Sequence, residues 1–242
     1  MAPVLRYVVP NREPELRRDD GDTASRVVAI DSEQGSELLG LHLGRYEQGR
    51  SRPRTLDGTQ EIMYVVSGRG TVFVDGRPDE LEPGTAVYVV TGESYEVENP
   101  GPESLLIVSA TAPQADGMAR PEQRIVRYAD QPSLPASGDR EFRYLVTDEV
   151  GCRDLTQFFG VIAPGRAPEH SHVYDEVIYV LEGEGVLHTE DGRDEPVSPG
   201  SCIHLPPLLV HSLENSGDSP MRIVAVFHPA GDPASRAYDA NQ

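Results

Sequence analysis

The chain has 242 residues, 38% of them hydrophobic and 25% charged, which is enough apolar sequence for packed cores and too much for wholesale disorder. Its formal net charge of −19 repels phosphate backbones and anionic lipids, so nucleic acid and membrane surfaces are poor partners. All 21 basic residues are Arg, which excludes Schiff-base and Lys-base chemistry, and Cys152 and Cys202 form neither a CxxC pair nor a disulfide scaffold.

In chain order, Met1 to Pro10 lacks the apolar core of a signal peptide. No apolar run of about 18 residues follows anywhere, so a cytoplasmic location is expected. Glu13 to Arg18 could hold a turn or two of helix, as could parts of Gln114 to Arg124 and Ala234 to Gln242. Ile62 to Val66, Thr71 to Val74, Ala86 to Val90 and Leu105 to Ser109 are short, rich in Val, Ile and Tyr, and bounded by Gly, Pro and Asp, as strands are. Asp75-Gly76 is a hairpin dipeptide and Pro83-Gly84 a second turn. Gln114 to Arg140, with Pro121, Pro132, Pro135 and Gly138, reads as a connector. Within it, Arg124-Ile-Val-Arg-Tyr128 echoes Val4-Leu-Arg-Tyr7, as if each half began with a similar strand.

The echo extends along the whole chain. Gly35, Gly44 and Gly49 recur as Gly151, Gly160 and Gly165 at an offset of 116. Glu61-Ile-Met-Tyr-Val-Val-Ser-Gly-Arg-Gly70 recurs as Glu176-Val-Ile-Tyr-Val-Leu-Glu-Gly-Glu-Gly185 at 115. Asp75-Gly76, Pro83-Gly84, Asn99 and Pro113 recur as Asp191-Gly192, Pro199-Gly200, Asn215 and Pro229, again at 116. The chain is a duplication. It divides into an N-terminal barrel with its arm (1–113), a connector (114–140) and a C-terminal barrel (141–242). Short strands at this spacing point to an all-β sandwich or jelly roll.

In the second copy, His170 and His172 stand at i and i+2 and share a face if the segment is a strand. Glu176 has the same parity, and His211 follows beyond the Pro199-Gly200 turn. Three imidazoles and a carboxylate from different strands suit a first-row transition metal and leave coordination positions open for chemistry. An HxH pair alone is a weak signal; the full set inside a duplicated β-domain is a strong one.

The stretch Gly165-(x)4-His170-x-His172-(x)3-Glu176-(x)6-Gly183 resembles the first cupin motif. Gly192-(x)6-Pro199-Gly200 with His211-(x)3-Asn215 resembles the second. One residue fewer precedes the first His, and the Pro-rich stretch Leu205 to Val210 precedes His211. The resemblance spans nearly the whole chain once the first copy is counted. It implies a bicupin: two tandem double-stranded β-helix (jelly-roll) barrels, all-β. It also implies one divalent transition metal per chain (Fe, Mn, Ni, Co, Cu or Zn) on His170, His172, Glu176 and His211. Aligned through Glu61 and Gly68, the first copy places Thr55, Asp57 and Tyr95 against the three histidines, so its metal site is expected to be lost.

Around the metal, Glu176, His204 and Tyr174 are the candidate catalytic groups. Cys202 shares the parity of His204, and both are expected to line the barrel. Phe158, Val161, Ile178, Val180, Ile203, Leu205 and Val226 suggest an apolar pocket. Arg166 is the basic residue expected near the entrance, and the lack of a pocket Arg pair disfavours oxalate and sugar phosphates. The resemblance implies a dioxygenase-type oxidoreductase acting on a small enol, phenol or 2-oxo compound. A metal-assisted isomerase or hydrolase, and a non-catalytic metal- or small-ligand-binding cupin, stand as alternatives. The expected partner is a small molecule, and a homodimer and a monomer are both compatible with the sequence.

Overall fold

Along the strand Thr59–Ser67, Ile62 and Tyr64 face one way and Met63 and Val65 the other, and both sets are buried. The strand Asp175–Glu182 does the same with Val177 and Tyr179 against Ile178 and Val180. A strand apolar on both faces must be covered on both. The computed structural model, which describes residues 6–115, 117–136 and 140–235 and the backbone of 238–239, shows how.

Each copy builds one large sheet and one small sheet. The first large sheet runs Ile125–Arg127, Thr85–Val89, Thr59–Ser67, Leu105–Pro113, Gly40–Tyr46, Ala24–Ile30, Arg17–Arg18. The second runs Val8–Val9, Cys202–Leu205, Asp175–Glu182, Met221–His228, Thr156–Ile162, Arg140–Tyr144, Leu134–Pro135. Every neighbouring pair is antiparallel, and each small sheet closes over the inner face of its large partner. Met63, Val65, Val97 and Ile107 fill the first barrel; Ile178, Val180, Ile203 and Leu213 fill the second. The outer faces of the two large sheets pack against each other: Ile62, Tyr64 and Tyr88 join Val177, Tyr179, Val224 and Val226 in a core shared by both barrels.

The duplication is visible in backbone detail. Gly35 (φ 86°) and Gly151 (φ 85°) each end a short 3-10 turn in the left-handed conformation that only glycine adopts without strain. Asn99 donates from Nδ2 to the Tyr46 and Glu103 carbonyls; Asn215 does the same to Ile162 and Ser219.

The first strands of the two copies are exchanged. Val8 pairs with Ile203 of the second barrel, whereas Ile125 pairs with Val87 of the first. Val8–Val9 of the arm therefore edges the C-terminal sheet, and Ile125–Arg127 of the connector edges the N-terminal one. Arg124 fastens the latter with two 2.9 Å bonds to the buried Glu93 carboxylate. Of the expected helical segments, Glu13–Glu15 forms a 3-10 turn, and residues 114–124 hold no helix among the described residues. In Ala234 to Gln242 the backbone of Tyr238–Asp239 is a strand, and most of the rest lies outside the described residues. Among the described residues, no helix is long and apolar enough to cross a membrane.

Candidate metal centre

Strand pairing brings the motif residues together at one end of the second barrel. His170 opens the two-residue strand His170–Ser171 and stands directly opposite His211, the first residue of His211–Asn215. Glu176 sits near the start of Asp175–Glu182, opposite Leu205. His172 lies in the short connection between His170–Ser171 and Asp175–Glu182, just before the bend at 173–174. His172, Glu176 and His211 are buried, and one ligand atom from each falls within 4.8 Å of the others. His170 is on the wall of the same cavity, its ring 4.5 Å from that of His211, but outside the tight group of three.

The three imidazoles are oriented alike. Nδ1 of His170 bonds the Pro168 carbonyl at 3.1 Å, Nδ1 of His172 the Tyr174 carbonyl at 3.1 Å, and Nδ1 of His211 the Leu209 carbonyl at 2.9 Å. A carbonyl only accepts, so each Nδ1 carries the proton, and each neutral ring keeps its Nε2 lone pair for a metal. Burial, helped by the charge of His170, pushes the His211 pKa down to about 3, which keeps that ring a neutral ligand. Burial works to lower the His172 pKa as well, but the Glu176 carboxylate close beside its ring outweighs burial and holds the pKa above the ordinary one. Nε2 of His172 lies 2.7 Å from Glu176 Oε2 yet off the line of a hydrogen bond, leaving a buried nitrogen without a hydrogen-bond partner. Two lone-pair-bearing atoms brought that close and not bonded to each other fit a shared cation. A borderline donor set of imidazole and carboxylate suits a transition metal.

The site opens onto a cavity of about 90 Å³ walled by Phe142, Phe158, Ile178, Leu205 and Phe227. Val226, expected to face inward, belongs to the inter-barrel core. One feature of the cavity was not expected from the motifs. Arg140 brings its guanidinium to this wall, with Nη2 donating to the Leu213 carbonyl at 2.5 Å. Arg166 instead is exposed and pairs with Glu169 at 3.3 Å, away from the cavity. Arg140 to Tyr144 lies 116 residues after Ala24 to Val28, and that spacing could have marked it as a barrel strand rather than the end of a connector.

Two candidate catalytic groups lie elsewhere. In Cys202–Leu205, Ile203 and Leu205 face the barrel interior, so Cys202 and His204 face the other barrel. His204 is 1% exposed and bonds Asp175 at 2.7 Å and the Gln34 carbonyl at 3.3 Å. Burial pushes the Cys202 thiol up to about 12. Tyr174 stacks on His172, with ring centroids 5.6 Å apart, and its hydroxyl accepts from the Asp232 amide at 3.4 Å, outside the cavity. Of the three catalytic candidates, Glu176 lines the cavity.

The first barrel holds a different cluster at the corresponding place. Thr55 and Asp57 are exposed. The residue opposite Tyr95 is Arg54, as His170 is opposite His211, so register puts a guanidinium in the place of an imidazole and Leu56 in that of His172. The one-residue length change lies between Leu56 and Glu61, not before the motif. Glu61, 2% exposed, accepts from Tyr95 Oη at 3.0 Å and Ser109 Oγ at 2.6 Å, with Arg54 Nε 3.8 Å away. Arg54 thus sets a positive charge beside this carboxylate, and the space there is about 10 Å³, one water at most.

Known proteins place this geometry in context. An oxalate-binding protein of Thermotoga maritima is 28% identical over 93 residues, 37% of this chain and 76% of that protein. A glucose-6-phosphate isomerase of Thermococcus onnurineus is 27% identical over 110 residues, 40% of this chain and 56% of that protein. The chain spans about half the length of the first curated relatives it matches. A structure of oxalate decarboxylase from Bacillus subtilis, solved to assign its Mn(II) centres, superposes with a TM-score of 0.75 at 14% identity, covering 96% of this chain and 79% of that one. The Cupin domain family (Cupin_2) matches residues 42–111 and 158–227, more than half of the sequence, and the chain belongs to that family as a tandem bicupin.

Proposed function

We propose that the protein is a metal-dependent enzyme whose C-terminal barrel acts on a small carboxylate-bearing 2-oxo or enol compound, as a dioxygenase-type oxidoreductase. The observation that carries this is the juxtaposition of His172, Glu176 and His211 with an apolar cavity and the Arg140 guanidinium. When bound, the metal supplies Lewis acidity toward a chelating pair of oxygens and, if it is Fe or Mn, a path for electrons to O₂. Arg140 pairs with the substrate carboxylate through charge-assisted hydrogen bonds. Phe142, Phe158 and Phe227 exclude water from the reacting atoms. Glu176 is the buried carboxylate on that wall and takes the proton released as a keto form passes to its enol.

Size narrows the substrate. At about 90 Å³, below the ~150 Å³ of a sealed cavity that accommodates benzene, the cavity favours a small substrate over a sugar phosphate or a two-ring phenol. Arg140 supplies one cation at the wall, short of the pair that a dianion would use but enough to favour a single carboxylate, and the oxalate-binding relative supports small carboxylates as a class. Metal-assisted isomerisation is the second reading; the kinship with glucose-6-phosphate isomerases favours it. The test is oxygen consumption by Fe- or Mn-loaded protein with a panel of small 2-oxo acids and enols, beside Arg140→Met. Substrate-dependent uptake with a KM raised at least tenfold in the variant supports the proposal. Turnover of the same compounds without O₂ uptake transfers the reading to isomerisation, and no turnover of any of them overturns it.

A further inference from the structure

We infer that Tyr174 and the turn Gly231-Asp232 are positioning residues for the metal ligand His172. This rests on reading His172, Glu176 and His211 as a metal site. His172 follows the strand His170–Ser171 outside any sheet ladder, its backbone tied by one hydrogen bond from the Leu208 amide to its carbonyl at 2.8 Å. Its ring is held instead by Tyr174, whose carbonyl takes the Nδ1 proton at 3.1 Å and whose ring lies 5.6 Å away at 19° to the imidazole. Phe227 packs against both rings, at 5.4 Å from His172 and 4.7 Å from Tyr174.

Tyr174 is in turn fixed by the chain beyond the last barrel strand. A Cβ on Gly231 would lie 2.3 Å from Tyr174 Cε1 and 2.4 Å from Cζ, so the backbone can lie against the phenol ring only because residue 231 is glycine. The Gly231 amide donates to Thr156 Oγ1 at 3.0 Å, and the Asp232 amide to Tyr174 Oη at 3.4 Å. Tyr144 Oη donates to Asp232 Oδ1 at 3.2 Å, tying the turn to the barrel strand Arg140–Tyr144. Pro233 and Ser235, next along, line the metal cavity. The arrangement accompanies the histidine: in the first barrel, two residues past Leu56, Gly58 stands with nothing within 4 Å of its would-be Cβ. Burial, stacking and a carbonyl anchor thus converge on one ligand ring, the kind of outer support that sets metal affinity.

The experiment loads wild type, Tyr174→Leu, Tyr174→Phe and Gly231→Val with Co²⁺, and records the d–d spectrum and the rate of Co²⁺ release to EDTA. Circular dichroism and thermal melts of the metal-free proteins show whether each variant is folded. Tyr174→Leu and Gly231→Val should release Co²⁺ roughly 10–100-fold faster with an altered d–d spectrum, while Tyr174→Phe, which keeps the stacked ring and loses only the long 3.4 Å contact of its hydroxyl with the Asp232 amide, should stay close to wild type. If Gly231→Val is unfolded, Tyr174→Leu against Tyr174→Phe decides alone. Wild-type release and spectrum in Tyr174→Leu overturn the positioning role while leaving the metal site standing. Failure of wild type itself to take up Co²⁺ overturns both.

Discussion

Replacing Arg54 by Met should destabilise the first barrel, because Glu61 would keep its charge and lose its cation. Arg54 Nε and Glu61 Oε2 are 3.8 Å apart, which corresponds to about 4 kcal/mol at an effective dielectric of about 20. The Arg54 side chain is 33% exposed and Glu61 3%, so solvent screening on the arginine side brings the expected coupling to roughly 2 kcal/mol. Tyr95 and Ser109 remain as donors and keep the carboxylate hydrogen-bonded. A double-mutant cycle with Glu61→Gln isolates the charge–charge contribution, since Gln retains the shape and an acceptor oxygen. The assay is urea unfolding followed by tyrosine fluorescence and circular dichroism, both probes being required to coincide. A coupling energy within about 0.3 kcal/mol of zero would refute the view that a guanidinium stands in for a cation here.

Arg124→Met breaks a buried bidentate pair with Glu93 and should cost about 3–5 kcal/mol; limited proteolysis should then cut first in the connector. If the connector stays protected, Arg124 does not fasten it. His42 is half-buried against Thr111, and loss of solvent around the ring holds its pKa below the ordinary 6.5, so the unfolded chain binds a proton that the folded one refuses. Stability must fall as pH drops below about 6.5, by at most about 1.4 kcal/mol per pH unit from this group; His42→Gln should flatten the pH 5–7 slope, and an unchanged slope refutes the assignment. Phe158→Ala should enlarge the metal cavity and destabilise by about 3–5 kcal/mol, read from the denaturation midpoint at unchanged slope.

The duplication, the β class and the ligand motif were legible because each is a local pattern repeated at fixed spacing. Glu61 and Glu176 open matched apolar runs, and turn glycines recur 116 residues apart with the same positive φ. What escaped depends on long-range pairing. Arg140 lies far from the motifs in sequence and reaches the cavity because its strand pairs with Thr156–Ile162. The exchange of first strands could not be read at all: Val4 to Tyr7 and Arg124 to Tyr128 are alike in sequence, the strands that pair are Val8–Val9 and Ile125–Arg127, and nothing local says which sheet takes which. His204 was misfaced because its parity within Cys202–Leu205 says which residues share a side, not which side meets the second barrel. Thr55 and Asp57 were set against the histidines by placing a one-residue length change too early; only the Arg54–Tyr95 pairing locates it.

The most direct test of the account is metal stoichiometry by elemental mass spectrometry on untagged protein, reconstituted with Fe²⁺ or Mn²⁺ and desalted, beside His211→Ala and Glu61→Gln. One transition metal per chain, lost in His211→Ala and retained in Glu61→Gln, is the predicted result. Two metals per chain, or one lost in Glu61→Gln and kept in His211→Ala, would contradict it.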